Sequence, residues 1–178
     1  MGPMGADHQA IRFVIVAVVC LVACGEDLRR RRIPNWLTLG AALGAVAFSL
    51  ITKGLPGGGL AVAGWAAGAA LLFPWFALGG MGAGDVKLVA ALGAWLGPLS
   101  AVWIVLYAAV AGGVLAVFVS LAHGYLRTAF RNVWGLMGYW RAVGVRPLPE
   151  LTLDAGKGPR LPYAIPIAVG AMVTLWLR

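Results

Sequence analysis

Five stretches of this chain carry no charged residue: 13–25, 33–52, 54–84, 88–126 and 161–177. A bilayer crossing by an α-helix takes roughly 17–25 mostly apolar residues, and runs of this length leave a water-soluble globule little room. Composition agrees, with 61% of the 178 residues hydrophobic and 11% charged. The net charge of +8 would suggest nucleic acid in a soluble protein, but here the cations fall between the apolar runs.

The runs divide into six segments. Residues 10–25 form the first, with Arg12 near enough to its start to snorkel toward headgroups. The second covers 36–52. Pro56 and Gly57-Gly58-Gly59 turn the chain ahead of a third at 60–78, and Pro98 splits the longest run into a short fourth segment, 86–96, and a fifth at 99–122. The sixth is 161–177. The predicted fold is all-α: a polytopic membrane protein of about six transmembrane helices in one domain, 1–178. A seventh, amphipathic helix is expected in the 123–160 loop, where Tyr125, Phe130, Trp134, Tyr139 and Trp140 alternate with Arg127, Arg131 and Arg141. Such a helix suits membrane lipid, rings at headgroup depth and cations toward anionic lipid, better than nucleic acid.

Orientation follows from the basic residues, which favour cytoplasmic loops. Placing Arg29–Arg32 inside also puts Lys87 and the 123–160 loop inside, for eleven cations against three outside, Arg12, Lys53 and Arg178. Both termini are then outside. Leu21-Val22-Ala23-Cys24-Gly25 resembles a lipoprotein cleavage site, but Asp7 offsets the basic n-region, and cleavage would remove a span that the topology uses. Cys20 and Cys24 read as packed thiols, and no metal set is expected from them or from the two distant histidines. The small-x3-small pairs Gly40/Gly44, Gly64/Gly68 and Gly93/Gly97 read as close-packing seats for helices.

Asp27 ends the first segment and Asp85 begins the fourth, so this topology sets both at one membrane edge, where they can meet. Each has a plain alternative: Asp27 could pair with the arginines after it, and Asp85 could cap the fourth segment. Gly82-Ala83-Gly84-Asp85 adds two glycines that permit unusual dihedrals and close backbone approach, and the short fourth segment lets water in. Two close carboxylates share a proton; the ionised one activates water while the protonated one polarises a carbonyl, which is the chemistry of peptide hydrolysis. A transporter using the same pair as a proton or cation site is the competing reading.

Asp27-Leu28-Arg29-Arg30-Arg31-Arg32-Ile33-Pro34-Asn35-Trp36, then Gly79-Gly80-Met81-Gly82-Ala83-Gly84-Asp85-Val86-Lys87, then Leu161-Pro162-Tyr163-Ala164-Ile165-Pro166 together resemble the type IV prepilin peptidases, G-x-G-D intramembrane aspartyl proteases. The resemblance implies removal of a short basic leader from prepilin-like protein substrates at the cytoplasmic face of the cytoplasmic membrane, without a cofactor. It makes Asp27 and Asp85 catalytic, and Gly82, Gly84, Lys87, Pro34 and Asn35 motif or substrate-binding support, with Lys87 giving charge support and Asn35 capping segment two. Larger members carry an N-terminal zinc domain and methylate the product; the chain is expected to lack that domain, as in the compact peptidases serving tight-adherence pili or archaeal preflagellins.

Overall fold

The computed structural model describes residues 3–144 and 161–177, with side chains from His8 onward except Val143; within them the regular elements are helices. They are α1 (Pro3–Arg30), α2 (Asn35–Ala77), α3 (Ala83–Leu96), α4 (Pro98–Ala122), α5 (Leu126–Val143) and α6 (Ala164–Leu177). Arg146, Glu150, Asp154, Lys157 and Arg160 of the expected loop, and Arg178, lie outside the described residues.

α2 is two helices joined at a break. Gly54 has φ 63° and ψ −160°, a left-handed conformation that L side chains resist. There the chain doubles back, and Gly57 leaves room for the return, since a Cβ placed on it would strike the Ser49 carbonyl and the Lys53 side chain. The two arms then run antiparallel, and both meet α3: Trp95 donates its indole N–H to the Ala41 carbonyl at 2.8 Å, while Gly93 and Gly64 pack backbone to backbone. The turn expected at Gly57-Gly58-Gly59 is therefore moved to Gly54. Gly57 and Gly58 are instead helical and give the returning arm its close approach.

α3 is the centre of the bundle. Every residue from Asp85 to Trp95 is buried except Lys87, a helix apolar on all sides and therefore enclosed by others. Its 14 residues rise only about 21 Å, less than a ~30 Å hydrocarbon core. Gly97, with φ 90°, ends it and passes the chain to α4, whose first residue is Pro98. α6 returns along α4, with Gly170 seated against the backbone at Ile104 and Ala108.

Small residues decide which faces touch. Gly64, Gly68 and Gly93 each sit where a Cβ would collide with backbone, and so serve as the expected seats. Gly40 meets nothing within 4 Å and Gly44 only the Trp95 ring at 3.6 Å, so the Gly40/Gly44 pair is not one. Cys20 is buried and Cys24 half-buried, both free thiols.

The outside is apolar. Leu21 is 73%, Ile51 84% and Phe118 73% exposed, surface that a soluble monomer does not present over such an area. α2 and α4 are long and apolar enough to cross a membrane, and the chain is a membrane protein. α5 packs only lightly on α4 and leaves Phe130, Val133, Trp134 and Met137 exposed along one face.

Candidate active site

α1 ends at the residues that open the site. The Arg31 amide bonds the Asp27 carbonyl at 2.9 Å, and Arg31 itself takes φ 52°, a left-handed cap usually given to glycine. The chain then extends through Pro34, which is the N-cap of α2 with φ −70° and ψ 141°. Ile33 is buried, and its side chain lies where a Cβ on Gly84 would come within 3.1 Å. The α1–α2 turn and the start of α3 are thus pressed together at Gly84.

A cavity of about 690 Å³ opens there, lined by Asp27 and Asp85 and bordered by Pro34, Asn35, Gly82, Gly84 and Lys87. The structure brings all seven sequence-derived residues to this one place. Asp27 and Asp85 are each only 9% exposed. Asp85 lies in the first turn of α3, ahead of the apolar stretch that starts at Val86. Its carboxyl faces the same cavity as that of Asp27, with the Gly82 amide beside it.

Asp27 is held differently. Its Oδ2 accepts the backbone N–H of Ala164 at 3.1 Å, across 137 residues of sequence. Ala164 is the first residue of α6, so the carboxylate occupies the position of an N-cap supplied from another helix, at the positive end of the helix dipole. Among the described residues the ion pair of this turn is Arg30 with Glu26, at 3.4 Å, and Asp27 is left to α6.

Three expectations are corrected. Asn35 does not cap α2; its side-chain oxygen instead accepts Lys87 Nζ at 2.9 Å, linking the start of α2 to the start of α3. Asp85 does not cap α3, because Gly82 is the N-cap and Asp85 reaches back to its amide from the first turn, the returning half of a capping box. Gly82 and Gly84 take no unusual dihedrals, and the left-handed residue of that loop is Gly79, φ 75°. What the two glycines supply is room, for Ile33 at Gly84 and for Asp85 Oδ2, 3.1 Å from a Cβ on Gly82.

Tyr163 and Ala164 were given no role from sequence. Burial and the charge of Asp85 both raise the Tyr163 phenol, which marks it as a neighbour of the pair. Tyr163 also lines an apolar cavity of about 360 Å³ with Trp75, Met81, Val105, Gly112 and Ile167. The sequence signal was the Leu161–Pro166 block, recognised without its contacts.

A helical bundle with an apolar exterior and two buried carboxylates at the mouth of a polar cavity defines a membrane protein equipped for acid–base chemistry. The model of the type IV leader peptidase family matches residues 14–117, more than half the chain, and the chain belongs to that family. It is accordingly a peptidase, a hydrolase acting on protein. The match includes both aspartates and ends before α5 and α6, so the contributions of Tyr163 and Ala164 stand on geometry. Comparison with curated proteins and with solved structures gives no match.

Proposed function

We propose that this protein is an intramembrane aspartyl endopeptidase that removes the basic leader of prepilin-like substrates at the cytoplasmic face of the cytoplasmic membrane. The observation that carries the reading is the burial of Asp27 and Asp85 around one cavity within a chain of this family. The six helical passes, α1, the two arms of α2, α3, α4 and α6, are read as transmembrane, with the arginine turn and the dyad inside. α5 is read as lying in the same interface, rings down.

The two carboxyls divide the work by their surroundings. Asp27, already accepting the α6 amide, serves as the ionised partner and takes a proton from the attacking water. Asp85, which has no amide from another helix among its contacts with the described residues and faces the Asp27 carboxylate across the cavity, keeps its proton and hydrogen-bonds the scissile carbonyl oxygen as negative charge gathers on it. Collapse of the tetrahedral intermediate needs a proton on the leaving amine, which Asp27 now holds. Lys87 and Asn35 position the α2 and α3 starts on either side of the cavity, and Gly82 and Gly84 keep its wall thin. The apolar cavity beside Tyr163 is the place for the substrate's hydrophobic segment.

Coexpression with prepilin-type substrates in bacterial membranes tests this reading, with the product identified by mass. A product cut immediately after the basic leader supports it; an intact panel of such substrates beside correctly inserted enzyme overturns it.

A further inference from the structure

At the end of the bundle away from the aspartates, a second polar cavity of about 340 Å³ is lined by His8, Gln9, Arg12, Lys53, Ser100 and Thr174. Arg12 precedes Asp27 by about four turns of α1, or roughly 22 Å, so this cavity belongs to a different place from the active site. Its lining holds two permanent cations and, among the described side chains, no carboxylate. The Arg12 Nε is buried without a hydrogen-bond partner. The guanidinium lies 5.7 Å from the Phe48 ring, which attracts the charge but leaves that N–H unanswered.

A third source of positive potential converges here. α4 begins at Gly97 and Pro98 with no side chain capping it, and Ser100 of its first turn faces the cavity. The orphan amides and dipole of a 25-residue helix favour an anion at that end. Arg12 is half-buried and Lys53 exposed, so the two charges stand at the open side of the cavity with no carboxylate beside them among the described residues, and the acceptor geometry that suits a guanidinium fork is an oxyanion.

We propose that Arg12, Lys53 and the α4 N-terminus form a binding site for a phosphate group, either the headgroup phosphodiester of a phospholipid or free phosphate. The volume is roughly ten times the ~30 Å³ share of a water molecule, enough for the tetrahedral group and its bound water. In a chain with this apolar exterior, that end of the bundle reaches headgroup level, where phosphodiesters are abundant. Arg12 then does more than snorkel: it is held by Phe48 in a fixed place.

The test uses the full chain, delipidated in a phosphate-free maltoside detergent, with thermal unfolding followed as ligand is added. The probes are dihexanoyl phosphatidylglycerol and inorganic phosphate, each alone. Wild type is expected to gain a few degrees with at least one of them. Arg12→Gln and Lys53→Gln, tested singly, are expected to lose most of that gain, whereas Arg127→Gln/Arg131→Gln on α5 keeps it. A gain with phosphatidylglycerol alone assigns the lipid, and a gain with both or with phosphate alone assigns the free anion. No gain in wild type overturns the proposal, whatever the variants do, and so does an undiminished gain in Lys53→Gln.

Discussion

Ala164 brings no side-chain chemistry to the site, yet its N–H is the group that holds Asp27. Ala164→Pro removes that donor at a helix position where proline is otherwise well accepted. A hydrogen bond to a charged group contributes about 1.5–3 kcal/mol, so cleavage by this variant is expected to fall roughly 10- to 100-fold; single-turnover rates check this, beside thermal unfolding that reads what the added ring costs at a fully buried position. The aspartates themselves were legible because carboxylates at the ends of apolar segments demand a reason. Asn35 was misread as a cap and Ala164 passed over, because a Lys–Asn link across 52 residues and a backbone donor leave no local pattern.

Among the helices, the break in α2 and the seats on α3 determine whether the dyad is assembled. Gly64→Ala drives a methyl into the Gly93 carbonyl, where backbone must move. Overpacking of this kind costs about 1–3 kcal/mol or more; the variant is expected to unfold at lower temperature in detergent and to lose cleavage with it. Gly40→Ala, facing open space, is expected to gain up to about 1 kcal/mol from helix propensity. The sequence pattern could not separate these two glycines, since both sit in the same small-x3-small spacing and only the partner's path distinguishes them. It did locate α4 to within a residue, 99–122 against Pro98–Ala122, because a long uncharged run bounded by Pro98 and His123 has few alternatives. Arg31 adds a third test. Its left-handed backbone is one that glycine adopts without strain, and Arg31→Gly is expected to raise stability by about 1 kcal/mol, read from the melting midpoint.

Across the whole molecule, the alternation of helix directions places the arginine turn, Asn35 and Asp85 at one end and Arg12, Lys53 and Leu96 at the other. The charge asymmetry of the loops had already suggested that division. What it could not supply was the central position of α3, since a helix of this apolarity reads the same in sequence whether it faces lipid or is enclosed by neighbours. The proposed topology predicts that, in a Cys20→Ala/Cys24→Ala background, Lys53→Cys is labelled by an impermeant maleimide in intact cells and Arg32→Cys only after permeabilisation. Labelling of both from the same side contradicts it.

The central claim is that two carboxyl groups, and no other pair, perform the hydrolysis. Its most direct measurement is leader removal from a coexpressed prepilin by wild type, Asp27→Asn and Asp85→Asn, at matched membrane levels and with product masses recorded. Each substitution keeps the side chain's size and removes its titrating proton. The account predicts cleavage by wild type and none above background by either variant; normal cleavage by either one contradicts the dyad.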